Sequence, residues 1–169
     1  MTSPSASTEH AGLWESLVGK AILRFGDIEL VSIKCLEVIP TDDISESTAR
    51  LGFAQRAELL IEILEARIDR TPDLDQLLEC LKRAKPLAKK RNLIAHNPVM
   101  LDIFVNEDET QMLAEHSITH ARSDETMSLE DLKEFAAAVE DLSSKLWLAF
   151  LRVVDSADPL WRKRRRARA

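Results

Sequence analysis

The residues best suited to chemistry lie in one short segment, Arg91-Asn92-Leu93-Ile94-Ala95-His96. Asn92 and His96 are four positions apart, so a helix places them on one face, and the long Arg91 side chain reaches the same place. A histidine takes up or releases a proton near neutral pH, and a planar guanidinium can bind an oxyanion through two nitrogens. The segment therefore predicts proton transfer beside a bound anion.

Basic residues cluster just before and within this segment. Between Glu79 and Asp102 the sequence has no acidic residue and six basic ones, which are Lys82, Arg83, Lys85, Lys89, Lys90 and Arg91. The net charge is −6, or −12 without the six cations of the C-terminal tail, so the rest of the chain should repel nucleic acid. A phosphate backbone would need this local patch, and we predict that Lys85, Lys89 and Lys90 bind RNA.

A structural interpretation of the same residues stays open. Basic residues are favoured near the C-terminal end of a helix, where they complement the partial negative charge of the helix dipole. His96 would then be an ordinary solvated residue at a helix end, and the cations would serve only the helix. Spacing alone favours this structural interpretation.

Four helices must position the segment. Apolar residues at helical spacing predict helices over residues 13–39, 47–69, 72–95 and 129–154. The pair Thr71-Pro72 supplies an N-cap and a first-turn proline for the third helix, and Pro86 should kink it. The apolar face of this helix extends in phase to Arg91 and Asn92, with His96 at its edge. Polar groups on such a face must be paired, or lie in a cleft or at a subunit interface.

A short β-element is predicted between the third and fourth helices. Leu101, Ile103 and Val105 alternate with other residues before a polar turn, and a second strand should lie within residues 111–120. The segment Ser128-Leu129-Glu130-Asp131 resembles a capping box at the start of the last helix. We therefore predict a mainly α fold, an antiparallel four-helix bundle with a small β-hairpin between helices 3 and 4. The predicted organisation is a flexible N-terminal tail, a helical domain and a basic C-terminal tail, over residues 1–12, 13–156 and 157–169.

Composition disfavours several classes of protein. The sequence has neither a signal-peptide pattern nor an apolar run long enough to cross a membrane, so we expect a cytoplasmic protein without a membrane partner. Cys35 and Cys80 lie in apolar helical patterns without metal-ligand spacing and should be core residues. His116 and His120 are four apart but in a predicted strand or loop, so no metal site or other cofactor is expected. The basic tail could help to capture RNA or could simply be solvated.

The segment Arg91-Asn92-Leu93-Ile94-Ala95-His96-Asn97-Pro98 resembles the motif of the HEPN family. In that motif an arginine is followed directly by a polar residue and, four to six residues after the arginine, by a histidine. Two further segments are similar to the family, Phe25-Gly26-Asp27-Ile28-Glu29 in the first helix and Leu51-Gly52-Phe53 at the start of the second. The order of motif helix, hairpin and last helix also follows the family, so the resemblance covers about residues 13–155.

The resemblance implies an antiparallel four-helix bundle that commonly dimerises with two motif helices together. Active members of the family are metal-independent endoribonucleases, many of them toxins or antiviral effectors. Carried over to this chain, Arg91 and His96 would be catalytic and Asn92 would orient them. The RNA products would end in a 2′,3′-cyclic phosphate, because the ribose 2′-hydroxyl is the nucleophile.

Two questions stay open at this point. Glu29, on the inward face of the first helix, could hold Arg91 or His96 by a charge-assisted hydrogen bond, or could form an ordinary ion pair between helices. The protein could be a homodimeric RNA endonuclease with an antitoxin or regulatory partner, or a non-catalytic HEPN-like interaction or nucleotide-binding module. The chain has no tyrosine, so control through the modified tyrosine that usually follows the motif in toxin–antitoxin pairs is not expected.

Overall fold

The computed structural model of the protein describes residues 4–40, 44–48, 50–105 and 112–156. Along the chain these residues form helices α1 (Pro4–Val38), α2 (Ser45–Thr48), α3 (Phe53–Glu65) and α4 (Pro72–His96), strands β1 (Val99–Val105), β2 (Met112–Thr119) and β3 (Thr126–Met127), and helix α5 (Leu129–Ser156). The chain is thus mainly helical, with a small antiparallel sheet between the motif helix α4 and the last helix. This confirms the predicted fold class.

The chain folds as two compact units, each built from two separate stretches of sequence. The first, which we call the sheet unit, comprises the described residues within 4–24 and 89–140. The second, which we call the bundle unit, comprises the described residues within 25–88 and 141–156. Helices α1, α4 and α5 each contribute one segment to each unit, and the whole motif belongs to the sheet unit.

The bundle unit packs segments of α1, α3, α4 and α5 around an apolar core. Helices α4 and α5 are antiparallel, because Arg152 donates to Gln76 Oε1 at 3.0 Å near one end while Arg83 lies 3.5 Å from Asp141 near the other. Burying one large apolar side chain contributes roughly 1.5–3 kcal/mol. The fully buried side chains come from all four helices and include Phe25, Ile28, Val31, Cys35, Leu60, Leu64, Leu77, Leu81 and Leu146.

Helix α3 lies beside α1 and runs in the same direction. The rings of Phe25 and Phe53 meet edge to face with centroids 5.0 Å apart. Further along both helices, Arg56 Nε donates to Ser32 Oγ at 3.1 Å. The antiparallel arrangement therefore holds for α4 and α5, whereas α1 and α3 are parallel.

The second predicted helix is divided in the structure. The sequence predicts one helix over residues 47–69, but the single turn α2 is followed by a break, and α3 begins only at Phe53. Gly52 is the N-cap of α3 with an extended backbone (φ −66°, ψ 162°), and its N–H donates to Gln55 Oε1 at 3.1 Å. This bond satisfies a backbone group at the break, a local feature that apolar periodicity does not reveal.

The sheet unit contains the antiparallel sheet, in the order β1-β2-β3. Strands β1 and β2 pair over their length, beginning with Val99 opposite Ile118, which confirms the predicted hairpin with its second strand within residues 111–120. The two-residue strand β3 was not predicted. It pairs Met127 with Ile118, and both side chains are buried. This end of the sheet therefore belongs to the core of the unit.

Helix α5 begins with the predicted capping box. Ser128 Oγ accepts a hydrogen bond from Asp131 N at 3.1 Å, and Asp131 Oδ2 accepts one from Ser128 N at 3.0 Å. These bonds satisfy backbone N–H groups that have no partner within the helix. The apolar residues that recur at helical spacing in α5 are buried, namely Leu132, Phe135, Ala136, Val139, Leu142, Leu146 and Phe150.

The N-terminal part of the chain differs from the prediction. Helix α1 begins at Pro4, so residues 4–12, predicted as most of a flexible tail, are helical. Proline is favoured in the first turn of a helix because its missing N–H would have no partner there. The predicted basic tail, residues 157–169, lies outside the described residues. Within the ranges that are described, no helix is both long and apolar enough to span a membrane.

Candidate functional site

The motif occupies the last turns of α4, which ends at His96. Leu93 and Ile94 are buried in this part of the helix, whereas Asn92 and His96 are exposed. The buried face therefore does not continue to Asn92, whose side chain is solvated, one of the surroundings expected for a polar group on this face. Pro86 lies between the two halves of the helix, and because proline donates no backbone hydrogen bond, the buried face need not keep its phase across it.

An open cleft of about 430 Å³ lies beside this end of α4. All of its lining residues belong to the sheet unit. Two imidazoles, a guanidinium, an ammonium group and two carboxamides therefore line one opening, whose volume suits a nucleotide-sized ligand. The lining residues come from the end of α4 and from the turn between β2 and β3: Lys89, Asn92, Leu93, His96, Asn97, His120, Ala121, Arg122 and Glu125.

Arg91 is half-buried and does not line the cleft, but it bonds to a residue that does. Its Nη1 donates to Asn92 Oδ1 at 3.0 Å. Neighbouring residues on a helix do not face each other, so this bond depends on the length of the arginine side chain. Because the Asn92 oxygen is held by Arg91, its amide nitrogen is left to donate to a ligand. If Asn92 orients Arg91, the two side chains must be in contact, and this hydrogen bond is such a contact.

Asn97, directly after α4, ties the helix to the turn between β2 and β3. Its Nδ2 donates to Leu93 O at 2.8 Å, and its Oδ1 accepts from Ala121 N at 3.2 Å. Both ends of the carboxamide are therefore bonded to backbone on opposite sides of the cleft. This bridge holds the helix end that carries His96 to the turn that carries His120.

The three predicted RNA-binding lysines have different surroundings. Lys85 belongs to the bundle unit, and its ammonium lies 2.7 Å from the Glu58 carboxylate. Lys89 lines the cleft and lies 3.0 Å from Glu125. Lys90 is exposed in the sheet unit but is not a lining residue. Of the three lysines, Lys89 alone is placed to meet a ligand in the cleft.

Glu29 is half-buried in the bundle unit, where its charge interacts electrostatically with the Arg56 guanidinium of α3. Burial lowers the pKa of the Arg56 guanidinium, and the Glu29 carboxylate opposes that shift. This interaction is electrostatic, and an ion pair of Glu29 with another helix stays a prediction. A bond from Glu29 to Arg91 or His96 stays a prediction.

His120 and Arg122 were not predicted as site residues. The sequence suggested His120 only as half of a possible metal pair with His116, which is exposed on β2. The local signal is weak, since His120 merely follows an alternating strand and precedes a polar turn. Its place in the same cleft as His96 depends on strand pairing and on the Asn97 bridge, which residue spacing does not reveal.

Neither cysteine belongs to the cleft. Cys35 and Cys80 are buried, as predicted, and burial raises the pKa of both thiols. A thiol that stays protonated is a poor nucleophile and a poor metal ligand. In the part of the chain that the structure describes, no three His, Cys, Asp or Glu side chains are grouped so that they could hold a metal ion.

The side chains that line the cleft are the evidence for its function. The resemblance to the HEPN family rests on the motif and on the order of the elements, because the chain matches no family model, no curated protein and no solved structure.

Proposed function

We propose that the protein is a metal-independent endoribonuclease that cleaves single-stranded RNA in the cleft beside α4. One observation supports this best: basic and polar side chains from two parts of the chain line the same open cleft. They are Lys89, Asn92 and His96 of α4, and His120 and Arg122 of the turn between β2 and β3. Transesterification of a phosphodiester needs a group that exchanges protons, together with positive charge for the phosphate. The lining of the cleft contains both.

In the proposed reaction, the His96 imidazole takes the proton of a ribose 2′-hydroxyl. The 2′-oxygen bonds to the adjacent phosphorus, and the bond from phosphorus to the 5′-oxygen of the next nucleotide breaks. That oxygen takes a proton from water, and the His96 imidazolium returns its proton to the solvent. Arg91 does not line the cleft itself but is bonded to Asn92, which does, and in the proposal it extends past Asn92 to stabilise the additional negative charge on the phosphorane. The products carry 2′,3′-cyclic phosphate and 5′-hydroxyl ends. No step needs a metal ion, because the substrate supplies the nucleophile.

The proposal includes a homodimer in which the motif surfaces of two copies meet. Asn92 and His96 are exposed, so they are accessible both to RNA and to a second copy of the chain. A cellular role as a toxin or antiviral effector, with an antitoxin or regulatory protein as partner, is also part of the proposal. These two parts rest on the resemblance to the HEPN family.

The test is cleavage of single-stranded RNA by the purified chain in the presence of a chelator. The parent should cut the RNA and leave 2′,3′-cyclic phosphate ends, and an all-deoxy strand should stay intact. His96→Ala should lower the rate by roughly 10²- to 10⁴-fold, as loss of a general base does. His116→Ala removes an exposed histidine from β2 and is the matched control. Intact RNA with the folded parent, or parent-like cleavage by His96→Ala, contradicts the proposal.

A nucleotide-binding module without catalysis is the second candidate. A cleft of about 430 Å³ has the size of a small-molecule site. Lys89 in its lining is already paired with Glu125, so the charge of this lysine is partly neutralised before a ligand binds. This candidate predicts saturable nucleotide binding that His96→Ala weakens, with no cleavage of RNA by the parent.

A further inference from the structure

Hydrogen bonds hold the turn between β2 and β3 in one conformation. His120 N donates to Glu125 O at 2.9 Å, and Ala121 N donates to Asn97 Oδ1 at 3.2 Å. Arg122 N donates to His120 Nδ1 at 3.2 Å. The last bond ends on a side chain, so it fixes the orientation of the His120 ring in the cleft lining.

The bond to Nδ1 also decides which nitrogen of His120 carries the hydrogen. A ring nitrogen that accepts a hydrogen bond has no hydrogen, so in the neutral imidazole the hydrogen is on Nε2. His120 is then a hydrogen-bond donor through Nε2, and Nε2 has no free electron pair with which to act as a base.

Positive charge accompanies this donor. The Arg122 guanidinium lines the cleft and forms no ion pair with any residue that the structure describes. Lys89 pairs with Glu125 at 3.0 Å, but the Lys89 side chain is 77% exposed. An ion pair this exposed contributes at most about 1 kcal/mol, so an incoming anion can replace the Glu125 carboxylate.

We propose that this turn is a phosphate-binding element. His120 donates from Nε2 to a phosphate oxygen, Arg122 binds the same phosphate through its guanidinium, and Lys89 joins them when it leaves Glu125. The ligand class is the phosphate of a nucleotide or of an RNA chain, and that choice rests on the proposed function. His96 is then the histidine of the cleft that exchanges a proton, and His120 is the one that holds the phosphate.

NMR of the histidine ring nitrogens in the full chain tests this assignment without any substitution. In ¹⁵N-labelled protein, the neutral His120 ring should carry its hydrogen on Nε2 and accept at Nδ1. Titration with inorganic phosphate, and then with uridine 3′-monophosphate, should shift the His120 and Arg122 signals and leave His116 unchanged. Hydrogen on Nδ1 of His120, or a His120 signal as unresponsive as that of His116, would overturn the proposal.

Variants measure the contribution of each group to uridine 3′-monophosphate binding. His120→Ala should weaken binding by about ten- to a hundredfold, as loss of a hydrogen bond to a charged group does. His120→Gln should recover most of the affinity, because its amide nitrogen donates from nearly the place of Nε2. Glu125→Gln keeps the backbone carbonyl that accepts from His120 N but loses the competing carboxylate, so binding should tighten about two- to fivefold. His116→Ala is the matched control, and parent-like binding by His120→Ala contradicts the proposal.

The outcomes separate this inference from the proposed function. If the parent does not cleave RNA but His120→Ala loses phosphate binding, the nuclease proposal fails and the phosphate-binding turn stands. If RNA is cleaved and His120→Ala binds and cleaves like the parent, the turn has no such role. In a cleaving enzyme, His120→Ala should raise KM, and His120→Gln should keep the pH profile of the parent because His96 sets it.

Discussion

Basic side chains on α4 have different surroundings on the two sides of residue 88, where the helix passes from the bundle unit to the sheet unit. Before that point, Lys82 lies 2.8 Å from Glu65 and Lys85 lies 2.7 Å from Glu58. After it, Lys89 lines an open cleft and is 77% exposed in its ion pair. The first two lysines join α4 to α3, whereas Lys89 is placed for a ligand.

This difference shows that a run of cations is not one functional patch. In the sequence, the six cations between residues 82 and 91 look alike, and no acidic residue separates them. The carboxylates that neutralise the first lysines come from α3, which is distant in sequence. The positive charge that a ligand meets is therefore set by tertiary neighbours and not by the number of lysines and arginines in a run.

The largest effect that tests this comparison is on stability. Leu60 is fully buried in the bundle unit, so Leu60→Ala should lower the free energy of unfolding by about 2–5 kcal/mol, through lost burial and a new cavity. His96→Ala removes an exposed side chain and should change it by less than about 1 kcal/mol. Urea unfolding followed by circular dichroism measures both. If His96→Ala lowered the free energy of unfolding by several kcal/mol, His96 would belong to a buried network. The contrast between the buried core of the bundle unit and the exposed cleft residues would then be wrong.

A smaller effect is expected at the start of α5, in the sheet unit. Hydrogen bonds from the Ser128 side chain and backbone hold the pKa of Asp131 below its ordinary value. Because this pKa is lowered in the folded state, the Asp131 carboxylate stabilises the fold at neutral pH, and that contribution is lost as the pH falls through the folded-state pKa. Ser128→Ala should therefore cost about 1 kcal/mol of unfolding free energy at neutral pH and less in strong acid.

Urea unfolding of Ser128→Ala at several pH values gives this comparison. Ser16→Ala, which replaces an exposed serine within α1, is the control and should show no such pH-dependent loss. The same loss for Ser128→Ala at neutral and strongly acidic pH would mean that the Asp131 carboxylate does not contribute.

The smallest effects are expected for substitutions of Lys85 and Lys89, which compare the two parts of α4 directly. Substitution of either lysine by glutamine should change the free energy of unfolding by less than about 1 kcal/mol, because both ion pairs lie at the surface. RNA binding should separate the two. Lys89→Gln should reduce the slope of log affinity against log salt concentration for single-stranded RNA by about 0.7, the value for one phosphate contact, and Lys85→Gln should not. Fluorescence anisotropy at several salt concentrations gives the slopes, and equal slopes would contradict the division of α4.

Short-range signals in the sequence predicted the ends of several elements. Thr71 caps α4, with Leu74 N donating to Thr71 Oγ1 at 3.4 Å, and Ser128 caps α5. The alternation that begins at Leu101 marks β1. Each of these signals depends on residues within a few positions of each other, so the chain need not be folded for them to be recognised.

Features that depend on distant residues were not predicted. The place of His120 in the cleft depends on the pairing of β2 with β3 and on the bridge made by Asn97. The exposure of Asn92 depends on how the helix continues after Pro86. These features depend on tertiary contacts between segments that are distant in sequence. The spacing of residues along the sequence does not show which segments form those contacts.

The Asn97 bridge is protected from one common form of chemical ageing. An asparagine can lose ammonia when the backbone nitrogen of the next residue attacks its side-chain carbonyl and closes a five-membered imide. The next residue here is Pro98, whose nitrogen carries no hydrogen, so this ring closure is blocked. The carboxamide that joins α4 to the His120 turn should therefore keep both of its hydrogen bonds through long storage of the protein.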